Sequence, residues 1–228
     1  SKGRRGQHFF ENDSYAACFS GNIYDTAKLA ETLHLPSNTP NAALFGAAWR
    51  RWGIDLSQRL DGAFAGAIWN KGTEELHLIR DLVGTRPLYW TRTHERFAFS
   101  TDLSSLIQAP WVSTELDRRN IAEYLSFRTI HAPRTLLRDV RSLPAAHALS
   151  LTKTRLEVKR YWSMRYCASS VTRFAEGELV HTLQTAMNES VRRRLPPNQM
   201  AALYLSGGLG STAIAAAART LHRKLPSF

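Results

Sequence analysis

Cysteine is scarce in this chain. Cys18 and Cys167 are the only two, far apart, and they form no metal-ligand spacing. In a reducing compartment both are expected as free thiols. Long apolar runs are missing as well, which excludes a membrane-spanning helix from the sequence. The first residues, Ser1-Lys-Gly-Arg-Arg-Gly6, are basic, but polar residues follow instead of the apolar stretch of a signal peptide. A cytoplasmic location is therefore expected. Acidic residues are in short supply, 19 against 30 Lys and Arg, giving a formal charge of +11. Such a balance raises nucleic acid as a partner. The basic residues come in short groups, Arg50-Arg51, Arg118-Arg119 and Arg192-Arg193-Arg194, without interleaved aromatics. They read as a solvated surface, not a nucleic-acid face. The charge would also suit an anionic nucleotide, without specifying one.

What is present is an ordinary globular composition, 43% hydrophobic and 21% charged. Asp25 is placed to cap a helix running to Leu33, and Asn41 to cap one that turns Leu44, Ala48 and Trp52 inward and stops at Gly53. Leu56 and Leu60 suggest one more short helix. Strands are predicted at Tyr15 to Ser20, Gly62 to Trp69, around Leu76 to Arg80, Pro87 to Arg92 and Phe97 to Ser100, with Cys18 as a buried small residue. Short helices are expected at Leu103 to Gln108 and Arg118 to Phe127, and a hairpin at Ala148 to Thr152 and Arg155 to Arg160. Arg165 to Thr172 reads as a linker. A long helix, Phe174 to Leu195, follows, with Leu179, Leu183, Met187 and Val191 on one face and Pro196-Pro197 at its end. The order is an α+β block over residues 1–165 and the opening of an α/β block over residues 174–228.

The stretch with the most chemistry is Leu203-Tyr-Leu-Ser-Gly-Gly-Leu-Gly-Ser-Thr212. Leu203 to Leu205 reads as a buried strand, Ser206 to Gly210 as a tight turn, and Ser211 and Thr212 as the opening of an alanine-rich helix. A strand, a glycine turn and a helix N-terminus make an anion site. Glycines let the backbone approach the ligand, and the first helical N–H groups lack internal acceptors. The spacing is not Gly-x-x-x-x-Gly-Lys-Ser/Thr and no lysine follows, so this is not a Walker A loop.

Ser206-Gly207-Gly208-Leu209-Gly210-Ser211 resembles the pyrophosphate loop (PP-loop) of ATP pyrophosphatases, Ser-Gly-Gly-x-Asp-Ser in the asparagine synthetase family. Four upstream landmarks resemble the glutaminase domain of that family and fall in its order. They are Phe19-Ser-Gly-Asn-Ile-Tyr-Asp25, Leu60-Asp-Gly-Ala-Phe-Ala-Gly-Ala-Ile-Trp69, Arg80-Asp-Leu-Val-Gly-Thr-Arg-Pro-Leu-Tyr89, and Leu143-Pro-Ala-Ala-His147 followed by Tyr161-Trp162. The resemblance implies an N-terminal-nucleophile-hydrolase-like αββα sandwich, followed by the first β-α unit of an α/β PP-loop domain. It implies ATP and magnesium as cofactors, with Leu205, Ser206, Gly207, Gly208, Ser211 and Thr212 at the nucleotide. It also implies a small-molecule or peptide carboxylate as substrate, activated as an acyl-adenylate and attacked by an amine.

Departures from the family lie at both sites. Its glutaminase uses an N-terminal cysteine as nucleophile, whereas this chain begins with Ser1 and has no cysteine before Cys18. The family's oxyanion pocket uses an asparagine and the glycine after it; here these are Ser20 and Gly21, and a serine hydroxyl is too short to reach the same point. The family's glutamate is Asn22, and no acid occurs in Pro36 to Asn41, where a second acidic contact would fall. Loss of glutaminase activity is expected. At the PP-loop, Gly210 replaces the aspartate that helps hold magnesium. A unit charge at a few ångströms is worth roughly 4 kcal/mol at an effective dielectric near 20. The chain stops at Leu225-Pro-Ser-Phe228, which looks like the next parallel strand, so an incomplete synthetase half is expected. Apolar surface left at Leu203, Leu205 and the following helix calls for a partner, a second copy included.

Two readings remain open from the residues. One is an amide-forming enzyme of the cysteine-less branch, in the manner of β-lactam synthetases and lasso-peptide cyclases. The other is a non-catalytic scaffold that kept the fold and lost both sites. Without the family, Arg80 and Asp81 read as a surface salt bridge, and Ser20-Gly21 as a bend between strand and helix.

Overall fold

The computed structural model describes residues 8–165, 176–195, 201–221 and 225–228. Two compact units divide the chain, residues 1–164 and 165–228.

Among the described residues, the first unit holds nine strands and four helices. They run β1 (Phe9–Glu11), β2 (Tyr15–Ile23), α1 (Thr26–Thr32), α2 (Asn41–Trp52), a 3-10 turn (Gly53–Gln58), β3 (Gly62–Asn70), β4 (Glu75–Arg80), β5 (Tyr89–Arg92), β6 (Phe97–Ser100), α3 (Leu103–Leu106), α4 (Arg118–Phe127), β7 (Val140–Ser142), β8 (His147–Leu151) and β9 (Leu156–Arg160). One antiparallel sheet has the order β1-β2-β3-β4-β8-β9 and the other β6-β5-β7. Apolar residues gather in three layers. Tyr15, Phe19, Leu44, Phe45, Phe64 and Ile68 lie between α2 and the larger sheet. Ala65, Ala67, Leu78, Leu88 and Leu149 lie between the sheets. Leu106, Val112 and Val140 cover the outside of the smaller sheet beneath α3. Layer by layer this is helix, sheet, sheet, helix, the sandwich that the resemblance implies.

Small residues set the spacing of these layers. A side chain at Gly66 would enter the Phe45 ring, and one at Gly46 the Tyr15 ring. The glycine-alanine strand thus lets α2 settle on the sheet. α2 begins at Asn41 with Pro40 in the capping position, one residue earlier than predicted, and ends at Gly53 as expected. Pro40 needs no donor there, and its fixed φ suits the helix entrance. β1 and β7 were not predicted. Each has three residues, and pairing with β2 and β5 defines them, not a pattern of their own.

Arg80 and Asp81 are not a surface salt bridge. Asp81 is 1% exposed. Its Oδ1 accepts from the Val83 and Thr85 N–H groups at 3.1 and 3.0 Å. Its Oδ2 accepts from the Phe64 and Arg86 N–H groups at 3.1 Å each. The Arg80 guanidinium instead donates to the carbonyls of Gly84, Arg86 and Leu143. The Tyr161 hydroxyl closes on the Arg80 carbonyl at 2.6 Å. One carboxylate and one guanidinium therefore fix the 81–86 turn and tie it to β3 and to the residues after β7. This explains why an Arg-Asp pair is needed at a bend.

In the second unit, α5 (Glu176–Arg194) and α6 (Leu209–Leu221) pack through Val191, Ala217 and Ala218, with Met187, Leu203 and Leu225 against them. Only the C-terminal part of the predicted α5 face is covered; Leu179 and Leu183 are exposed. Both acids in its first turn and three arginines in its last complement the helix dipole. Glu189 takes ion pairs from Arg192 and Arg193, which hold its pKa down at about 2. Residues 203–205 run parallel to 226–228, with Leu203 N–H to Pro226 O at 2.8 Å and Leu205 N–H to Phe228 O at 2.8 Å. The expected parallel neighbour is therefore present, but a buried strand is not, because Tyr204 and Leu205 are exposed. The described residues supply one neighbour on one edge only. No helix among the described residues is long and apolar enough to cross a membrane. Ser1, Cys167, Pro196-Pro197 and the linker from residue 166 lie outside the described residues.

Candidate functional site

Two places in the chain carry site chemistry, one in each unit. In the first unit, β2 alternates strictly. Tyr15, Ala17, Phe19 and Ile23 face the α2 layer and are buried. Cys18 and Ser20 fall on the opposite face, where they line a cleft of about 360 Å³ between the sheets with His8, Leu88, Phe99 and Ser100. Ser20 and Gly21 are thus part of the strand, not a bend after it, and pair with Ala65 and Phe64. Gly21 has φ +115°, and an added Cβ would fall on the Ala63 carbonyl oxygen. Only glycine fits there.

Cys18 is exposed, contrary to the expected burial. The period of two already put it on the Ser20 side of the strand. Its surroundings still desolvate the sulfur and raise the thiol pKa, which works against a thiolate nucleophile. His8 Nδ1 lies 3.2 Å from the Phe19 carbonyl, so that nitrogen carries the proton and donates. The Pro36–Pro40 loop lines a second, larger cavity of about 710 Å³ with Phe10, Tyr15, Leu35 and Arg50. The structure therefore places Ser20 and this loop in different cavities. Among the described residues, no carboxylate lines either one.

In the second unit the helix starts earlier than predicted. α6 opens at Leu209, so Gly210, Ser211 and Thr212 are already helical and the turn is Ser206 to Gly208. Gly207 supplies φ +76° for it. The Thr212 N–H closes on the Gly208 carbonyl at 3.0 Å. The N–H groups of Leu209, Gly210 and Ser211 precede that first helical bond and remain for a ligand. Ser206 and Ser211 bring their Oγ atoms within 3.1 Å of each other across the turn. Ser211 Oγ and Thr212 Oγ1 donate to the Gly208 carbonyl at 2.9 and 3.0 Å. Residues 206–210 are all exposed. The predicted residues Ser206, Gly207, Gly208, Ser211 and Thr212 thus share one turn, with Leu205 leading into it. The donors suit phosphate oxygens.

Magnesium does not fit this donor set. The first turn of α6 has no acid, and Gly210 offers no oxygen to a hard cation. Among the described residues, no group of three His, Cys, Asp or Glu side chains could hold a metal.

A sequence profile of the glutamine amidotransferase domain matches residues 3–162. A profile of asparagine synthase matches residues 182–228. The chain is 26% identical over 214 residues to asparagine synthetase [glutamine-hydrolyzing] 3 of Bacillus subtilis, covering 92% of this chain and 34% of that protein. It is 27% identical over 224 residues to asparagine synthetase [glutamine-hydrolyzing] 1 of the same organism, covering 96% and 35%. The amidase chyE of Penicillium rubens is 27% identical over 229 residues, covering 96% and 33%. The chain thus spans about a third of the length of these relatives. Among solved structures, glutamine phosphoribosylpyrophosphate amidotransferase from B. subtilis aligns with a TM-score of 0.46 at 15% identity, over 96% of this chain and 46% of that one.

Proposed function

Since the chain belongs to the glutamine amidotransferase domain family through residues 3–162, we propose that it is the amidotransferase-like part, with the opening of the nucleotide part, of an ATP-dependent amide-forming protein of the asparagine synthase type. The observation that carries this reading is the Ser206–Thr212 turn. A parallel strand pair, a glycine at φ +76° and a helix start place three backbone N–H groups and two serine hydroxyls at one exposed point. ATP, when bound, supplies the adenylyl group that activates a carboxylate. The chain's own part is to hold the phosphates. The Leu209, Gly210 and Ser211 N–H groups and the Ser206 hydroxyl would donate to their oxygens, and Leu205 would be the residue at the base. Calorimetry with ATP tests this. Wild type is expected to bind, and the double variant Ser206→Ala, Ser211→Ala to bind at least about tenfold more weakly, since a hydrogen bond to a charged group contributes about 1.5–3 kcal/mol. Equal affinity for the two proteins contradicts the assignment.

The amidotransferase-like unit, on this reading, no longer hydrolyses glutamine. Among the described residues, the cleft holding Ser20 has no carboxylate to face a substrate ammonium, and neither has the cavity under the Pro36–Pro40 loop. Ser20 presents a short hydroxyl where the resemblance calls for an asparagine amide. The amine partner in amide formation is then one already carried by a substrate. Incubation with glutamine is expected to release no glutamate above the uncatalysed rate. Release that scales with protein concentration contradicts this.

A further inference from the structure

We infer that the Ser206–Thr212 turn binds its phosphate ligand as the bare anion, without a divalent cation. This rests on the phosphate reading above and concerns what that site does not recruit. The groups that the turn offers to a phosphate are donors: the N–H groups at the start of α6 and the Ser206 hydroxyl, which lies 3.1 Å from Ser211 Oγ, while the Ser211 hydroxyl already donates to the Gly208 carbonyl. Such groups stabilise negative charge directly. A hard cation needs oxygen ligands, carboxylates foremost. Within the turn, the position where the resemblance supplies a carboxylate is Gly210, the second residue of α6. A Cβ built there meets nothing within 4 Å among the described residues beyond its chain neighbours and the backbone of its own helix. Packing therefore does not demand glycine at 210, and an aspartate would project into solvent beside the turn. Without a metal it would repel an incoming phosphate; with one it would help hold a metal–phosphate pair. The glycine removes both effects, leaving a site whose affinity does not depend on magnesium.

Inorganic pyrophosphate is the probe, titrated into the whole 228-residue chain, once in chelator and once in excess magnesium. Wild type is expected to bind in chelator, with an affinity that magnesium strengthens by less than threefold. Gly210→Asp is expected to reverse this behaviour: binding at least tenfold weaker than wild type in chelator, recovered at least tenfold by magnesium. Ser206→Ala with Ser211→Ala is expected to weaken binding in both conditions, which separates the turn from the basic surface at large. Circular dichroism of each variant confirms that α6 is kept. If magnesium tightens wild-type binding tenfold or more, the bare-anion assignment is overturned while the phosphate turn stands. If Gly210→Asp behaves as wild type, position 210 does not control the metal and the inference falls. If wild type binds pyrophosphate in neither condition, or the serine variant binds as tightly, the phosphate reading itself falls.

Discussion

Replacing Asp81 by alanine is expected to destabilise the N-terminal unit by about 3–5 kcal/mol. The carboxylate is buried and accepts four backbone N–H groups, those of Phe64, Val83, Thr85 and Arg86. Alanine leaves all four without that acceptor. A buried donor without a partner costs about 1–3 kcal/mol, less where water enters. The Arg80 guanidinium would keep its three carbonyl partners but lose the carboxylate beside it, which favours its charge. Asp81→Asn retains one oxygen and turns an amide N–H₂ toward the other two donors, so about half the loss is expected. Urea unfolding followed by tryptophan fluorescence measures this cleanly, because all six tryptophans, Trp49 to Trp162, belong to the first unit. A midpoint corresponding to less than about 0.5 kcal/mol of change contradicts the hub.

The second large effect is expected at Gly21. Gly21→Ala must place a methyl group on the Ala63 carbonyl oxygen, with Phe64 Cα 2.9 Å away, at a φ of +115°. Both obstacles are backbone in the neighbouring strand, so nothing flexible can give way. A loss of more than about 3 kcal/mol is expected from strain and overpacking together. Gly53→Ala is the informative control. Gly53 also has positive φ, +56°, but among the described residues nothing beyond its own chain neighbours lies within 4 Å of its added Cβ. There only the backbone conformation costs: φ +56° with ψ −138° lies outside the left-handed helical region, in space that glycine alone enters freely, and holding alanine in it costs about 1–3 kcal/mol. The same unfolding assay ranks the two. Equal losses would mean that the close approach of β2 and β3 at Gly21 does not matter.

Much of this molecule is legible in its sequence, and the exceptions share a cause. α4 falls at Arg118–Phe127 as predicted, and the structure adds a local cap that the prediction did not use: Asp117 accepts from the Arg119 N–H. β3 is legible from its run of small residues. Cys18 is exposed because Tyr15 to Ser20 is not uniformly apolar: Tyr15, Ala17 and Phe19 alternate with Cys18 and Ser20, which places Cys18 on the opposite face. Asp81 was not legible as a hub. Phe64, one of its four donors, is 17 residues away, and no local pattern announces a pairing across strands. Leu203 to Leu205 carry a buried strand's composition, yet burial is a property of neighbours, and the described residues provide only 225–228. The glycine turn is legible as a turn that opens a helix, while the helix start at Leu209 is not. Gly210 suggested a longer turn because glycine is a poor helix residue, but the Thr212 to Gly208 bond shows it inside the first helical turn.

Phosphorus NMR of ATP in the presence of the whole chain tests the nucleotide assignment most directly, because it reports on the phosphates and not on the base. The β- and γ-phosphate resonances are expected to broaden and shift with wild type, and to stay sharp with Ser206→Ala, Ser211→Ala at the same concentration. Resonances that stay sharp with wild type, or that broaden equally with the serine variant, would contradict a phosphate site at Ser206–Thr212.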